Sequence, residues 1–265
     1  MKTISVTSGK GGVGKTTFLV NLALQLKQSG HRVLILDGDL GMSNVDLLFG
    51  KKAAYSLWDV MSGSKELTEI LVSLAPGVDL ISSGSGLLEY NHLDAFQRRS
   101  MLEVSQELNK NYDFMLVDTA PGISENVLYL NYAADEIIVL ITPDVGSFTD
   151  GYALIKVLNA KHKVKRFNIV ANMVQDENEG VSVFERFQGV THRFLEVGLN
   201  YLGSVPFDLS LRDERGTGRL LTQQSKISQA RRALIDIEKE IQVLQKHKHY
   251  HETHANFWSQ VVGFA

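Results

Sequence analysis

The chain has no cysteine, which removes disulfides, thiol nucleophiles and thiolate-held zinc or iron–sulfur centres and fits a reducing cytosol. Only four of its 265 residues are proline, and no low-complexity linker or internal repeat interrupts it. No apolar run approaches the roughly 20 residues of a membrane span. No secretory signal precedes the first apolar segment. Neither sign of charge dominates: the formal net charge is -3, which argues against bulk attraction to nucleic acid but leaves room for a local basic patch. An Asn-Lys-x-Asp guanine motif is also missing. What remains is an ordinary globular composition, 44% hydrophobic and 22% charged.

Against that background one stretch stands out. Residues 5–17 read SVTSGKGGVGKTT. Gly9, four residues and then Gly14-Lys15-Thr16 have the spacing of a P-loop, whose backbone N–H groups close around phosphate oxygens. The glycines are needed because side chains would block that approach and because some positions require positive φ. Thr3 to Thr7 reads as the strand before the loop and Thr16 to Gln28 as the helix after it, its N-terminus facing the phosphates. Gly11, Gly12, Val13 and Gly14 then form the cradle, Lys15 is the β/γ-phosphate cation, Thr16 the hydroxyl ligand of Mg²⁺ and Thr17 an α-phosphate contact.

Four further apolar runs bounded by turn residues, Val33 to Leu36, Phe114 to Val117, Ile137 to Ile141 and Phe167 to Ala171, read as buried parallel strands. Helical stretches, Ala95 to Leu108 and Thr149 to Leu158 among them, lie between. The alternation predicts an α/β fold, a doubly wound, mostly parallel sheet flanked by helices with functional loops at the carboxyl ends of the strands. The run FMLVDTAPG delivers Asp118 at a strand end, the Walker B position, to hold Mg²⁺ through its water shell. In LILDGDLGMSNVDLLFG, Asp37 ends a strand and Asp39 follows in the loop, near the expected γ-phosphate; turn-forming aspartates are the alternative.

One domain, 1–245, is the economical reading, followed by a polar linker and a C-terminal helix over 246–265. Ile227, Ala230, Leu234, Ile237, Ile241 and Leu244 form an apolar helical stripe suited to the sheet's flank. His247, His251 and His254 lie at helical spacing, but HETH is not an HExxH zinc motif, and a solvated linker is the better reading. At about 100° per residue, Phe257, Trp258, Val261, Val262, Phe264 and Ala265 share one face of a short amphipathic helix, with Lys246 and Lys248 upstream. Such a face can meet a membrane or pack in a groove of its own subunit. Both uses are compatible if ATP releases the helix.

The run KGGVGKT resembles the deviant Walker A motif of the MinD/ParA class of ATPases. DGDLGMSNVDLLFG, DGYALIKVLN, RFNIVANM and THRFLEVGLNYLGSVPFDLSLR resemble its MinD-like flagellar-number branch, known as FlhG or FleN, and the likeness covers nearly the whole chain. The resemblance implies that Lys10 is a signature lysine reaching the partner subunit's phosphates in an ATP-dependent homodimer, that Asp39 orients the attacking water, and that Asp37 assists near the metal. It also implies that Asn172 and Pro206, Phe207 and Asp208 contact adenine. Further implications are slow Mg²⁺-dependent ATP hydrolysis, reversible contact of the C-terminal helix with the inner face of the cell membrane, and regulation of flagellar number through a signal-recognition-type GTPase or a flagellar transcription activator. Many members stimulate that GTPase through an N-terminal extension; here only Met1 and Lys2 precede the first predicted strand. The competing function is a ParA-like partitioning ATPase that binds DNA non-specifically, for which KHKVKR, Lys161 to Arg166, is the one dense basic candidate.

Overall fold

The structure is a computed structural model and describes residues 1–39, 45–84, 95–208, 228–246 and 257–261. Its strands in chain order are β1 (Lys2–Thr7), β2 (Val33–Gly38), β3 (Val72–Ala75), β4 (Val78–Ser82), β5 (Phe114–Thr119), β6 (Glu136–Ile141), β7 (Arg166–Val174) and β8 (Gly198–Pro206). They form one sheet in the order β3-β4-β2-β5-β1-β6-β7-β8. Every neighbouring pair is parallel except β3 with β4.

The helices are α1 (Lys15–Gln28), α2 (Val45–Leu48), α3 (Leu57–Met61), α4 (Leu67–Ile70), α5 (Ala95–Asn111), α6 (Glu125–Ala133), α7 (Val145–His162), α8 (Glu177–Phe194), α9 (Gln229–Lys246) and α10 (Phe257–Val261). The period-2 alternation of the strands divides the core. Val33, Ile35, Phe114 and Leu116 pack with α1 and α9 on one face, while Leu34, Leu36, Met115 and Val117 pack with α3, α5, α6 and α10 on the other. Ile137, Val139 and Ile141 of β6 meet α7 and α8. With both faces covered, β2 and β5 carry unbroken apolar runs, Val33 to Leu36 and Phe114 to Val117, while the central β1 buries Thr3, Ser5 and Thr7 among its apolar residues.

The expected strands are all present and run longer than their apolar centres: β2 continues to Gly38, β5 to Thr119 and β7 to Val174. Likewise α7 begins at Val145 rather than Thr149, because the Asp144 carboxylate accepts the Ser147 N–H and caps it. In the α9 stripe, Ala230, Leu234, Ile237 and Ile241 are buried; Ile227 lies outside the described residues, as do His247, His251, His254 and Lys248. Of the C-terminal apolar face, Phe257, Trp258 and Val261 are buried against α5 and α6. The Tyr129 hydroxyl of α6 donates to the Gln260 carbonyl at 2.5 Å. Packing on its own subunit is therefore the arrangement this structure takes; Val262, Phe264 and Ala265 lie outside the described residues.

Candidate functional site

The carboxyl ends of β1, β2 and β5 lie side by side at the centre of the sheet, with Asp37 directly opposite Asp118 in the β2/β5 register. The loop leaving β1 turns through Gly12 and Gly14 at φ 76° and 86°, backbone that L side chains adopt with strain. At Gly9 a Cβ would overlap the backbone of Asp150. The helix that follows has no side-chain cap and no acidic residue in its first turn, whereas α7 and α8 are capped by Asp144 and Asp176. The first-turn N–H groups of α1 are thus left for an external acceptor. Val13 is 2% exposed, its side chain packed in the core beneath the loop.

Lys15 is mostly buried and donates to Ser8 Oγ at 3.1 Å, while Ser8 Oγ donates to the Lys10 carbonyl at 2.7 Å. Burial pulls the Lys15 ammonium below its usual range, opposed by the charges of Asp118 and Asp39. Across the loop, Thr16 Oγ1 donates to Asp118 Oδ2 at 2.7 Å, which joins two of the three residues expected at Mg²⁺. Burial pushes the Asp118 carboxyl up to about 7; the Thr16 hydrogen bond opposes the rise and Asp37 adds to it. Asp118 Oδ1 is buried with no hydrogen-bond partner, an orphan acceptor that a cation would satisfy. Among the described residues no group of three or more His, Cys, Asp or Glu could hold a metal alone. A cation here would complete its shell with phosphate and water oxygens, which suits Mg²⁺.

A cavity of about 480 Å³ opens from the loop past Asp39 and Thr17 to Asn172, Pro206, Phe207 and Asp208, within the usual range for a small-molecule site. The expected phosphate, water-orienting and base-side residues therefore share one cavity. Asn172 also makes an unexpected contact, donating through Nδ2 to the Val13 carbonyl at 2.7 Å. Lys10 does not line the cavity; its Nζ lies 2.7 Å from Asp144 Oδ1, both side chains nearly half exposed. Ser8, Asp144, Met173 and Pro121 are site residues that sequence reasoning missed. Ser8 lies inside the quoted loop and could have been found; Asp144 is 134 residues from its partner and carries no local signal. Lys161 to Arg166 run from the end of α7 through the turn beyond it to the first residue of β7, with Lys161 near Glu125 at 3.7 Å.

A glycine loop between the central strand and an uncapped helix, opening into a cavity of nucleotide size, makes this a P-loop nucleoside triphosphatase fold. Within that class the chain belongs to the ParA family: the family profile described as "ParA: NUBPL iron-transfer P-loop NTPase" matches residues 1–242. The chain is 42% identical to the antiactivator FleN of Pseudomonas aeruginosa over 212 residues, 80% of this chain and 76% of that one. It is 34% identical to the flagellum site-determining protein YlxH of Helicobacter pylori over 205 residues, 77% of this chain and 69% of that one. Among solved structures, the septum site-determining protein MinD of Pyrococcus horikoshii, complexed with Mg-ADP, aligns over 92% of this chain and 97% of its own with a TM-score of 0.69 and 27% identity. The MinD-like resemblance read from the sequence holds. Thiolate-based iron transfer does not carry over to a chain with no cysteine.

Proposed function

We propose that this protein is an ATP-dependent switch that controls flagellar number or placement, cycling between a monomer and a partner- or membrane-bound dimer as it hydrolyses ATP. The observation that carries the switch is the position of Lys10. It stands exposed outside its own phosphate cradle, so its charge is available to a second copy's phosphates, where it would stabilise the negative charge of phosphoryl transfer as an arginine finger does. Ile123 and Val145 are also exposed, apolar surface that such a dimer would have to cover.

The likeness to FleN and YlxH supports the flagellar assignment, with a flagellar transcription activator or a signal-recognition-type GTPase as the partner. In the cycle, Lys15 and the N–H groups of Gly11 to Gly14 bind the triphosphate, Thr17 takes the α-phosphate, and Asn172, Pro206, Phe207 and Asp208 face the base. Thr16, Asp37 and Asp118 would hold Mg²⁺, which supplies charge neutralisation at the phosphates. Asp39 orients the water for in-line attack, so catalysis comes from positioning and charge. The C-terminal helix would leave its groove in the ATP state and meet the inner face of the cell membrane. Its packing on α6, which is joined through residues 120–124 to the strand that carries Asp118, supports that coupling.

The test is Asp39→Ala. The variant should bind ATP and accumulate as a dimer in size-exclusion chromatography while turnover is lost. A variant that stays monomeric with nucleotide bound, or that turns over at the wild-type rate, refutes the role given to Asp39.

A further inference from the structure

The hydrogen bond from Asn172 to Val13 joins groups 159 residues apart in the chain. The acceptor is a carbonyl, so the amide nitrogen must face the loop, which fixes which way the Asn172 side chain is turned. Both residues are buried, at 7% and 2% exposed, where a lost hydrogen bond leaves an unsatisfied polar group. The same nitrogen would lie 2.7 Å from a Cβ on Gly14, and Met173 Cε 3.2 Å from it. Asn172 and Met173 therefore close the back of the Gly14 turn.

β7 is irregular where it makes this contact. Met173 has φ 58°, a left-handed conformation uncommon for an unbranched apolar residue. The β7/β8 register slips between Asn172 and Val174, and a slip of this kind re-aims a side chain. Strain of this sort persists where the surroundings hold it in place.

We propose that Asn172 is a positioning residue for the phosphate cradle, holding the Val13–Gly14 peptide in the orientation that receives a triphosphate whatever base is attached. The peptide is planar and trans, so fixing the Val13 carbonyl also fixes the direction of the Gly14 N–H, one of the cradle's donors. Glycine has more backbone freedom to lose than any other residue. A loop with glycine at 9, 11, 12 and 14 gains most from one external anchor. The proposal rests on the nucleotide-binding reading and adds to the adenine contact expected of Asn172 a function that needs no adenine.

The experiment uses the full chain, Asn172→Ala and Asn172→Asp; the second keeps the shape and replaces the donor with an acceptor. Dissociation constants for Mg-ATP, Mg-GTP and Mg-tripolyphosphate are measured by calorimetry, alongside the melting temperature without ligand and the NMR signal of the Gly14 amide. Both variants should weaken tripolyphosphate about tenfold, for the loss of one buried hydrogen bond, and the two nucleotides at least as much. The Gly14 signal should shift or broaden, and the melting temperature should fall by only a few degrees, the cost of one buried hydrogen bond. Weakened ATP with unchanged tripolyphosphate would make Asn172 a base contact alone and overturn the proposal, as would an unmoved Gly14 signal. If the wild type binds neither ATP nor tripolyphosphate, the nucleotide reading itself fails; if it binds both and the variants match it, only the role of Asn172 fails.

Discussion

Asp144 holds Lys10 and also accepts from the Thr142 hydroxyl at 2.6 Å and the Ser147 N–H at 3.0 Å. The aspartate is anchored in its own helix cap, so Lys10 is the member of the pair that can leave. An ion pair this exposed contributes little to stability, which lets it be exchanged for phosphate across an interface. Asp144→Asn preserves the cap and removes the charge, and should lower the ATP concentration at half-maximal dimerisation about two- to threefold. Lys10→Ala should keep ATP binding and lose the dimer; sedimentation velocity with ATP reads both. The Lys10 hydrogen bond, with help from Thr142, holds the Asp144 carboxyl at about 2. A depressed carboxylate pKa stabilises the folded pair above the ordinary aspartate range, and that contribution is lost only as pH falls toward about 2. Acidifying from about pH 8 to about pH 5, above the usual aspartate range, should therefore leave the pair closed and yield no nucleotide-free dimer in the same sedimentation assay.

The elements around the site are joined by a buried polar knot. Ser5 Oγ donates to Asn131 Oδ1 at 2.8 Å, Asn131 Nδ2 donates to Thr7 Oγ1 at 3.1 Å, and Thr119 Oγ1 donates to Thr7 Oγ1 at 3.0 Å. This ties β1, the end of β5 and α6 into one body. Asn131→Ala would leave Ser5 Oγ with only a 3.5 Å contact to the Glu136 carbonyl and Thr7 Oγ1 with only Thr119, and should cost about 1–3 kcal/mol in urea unfolding. The central strands were legible because both faces are covered, which makes Val33 to Leu36 and Phe114 to Val117 apolar without a break. The edge strands were not: β3 is four residues and half-exposed, and β8 alternates exposed and half-buried positions from Gly198 to Tyr201. In the site, the P-loop, Asp39 and Asp118 sit within short diagnostic runs. The partners Asp144 for Lys10 and Val13 for Asn172 exist only once β6 and β7 are laid beside β1.

At the scale of the whole molecule, α10 is a structural part of the domain. Phe257, Trp258 and Val261 are 5%, 1% and 0% exposed, and burying three such side chains stabilises by roughly 5 kcal/mol. Deleting residues 255–265 should therefore lower the urea midpoint as well as abolish ATP-dependent sedimentation with anionic liposomes, if the helix is released as proposed. A deletion that leaves the midpoint unchanged would mean that α10 contributes nothing to folding. Wild-type protein that ignores liposomes in every nucleotide state would make α10 a packing element only. The same burial gives the protein an optical signature. Of its two tryptophans, Trp258 rides on α10 and Trp58 sits half-buried on α3 in the same cluster. In a Trp58→Phe background every photon of tryptophan emission comes from the C-terminal helix. ATP should then redden and dim that emission as the indole enters water, and anionic vesicles should turn it blue again, so that each departure and landing can be timed in a stopped-flow cuvette without a label.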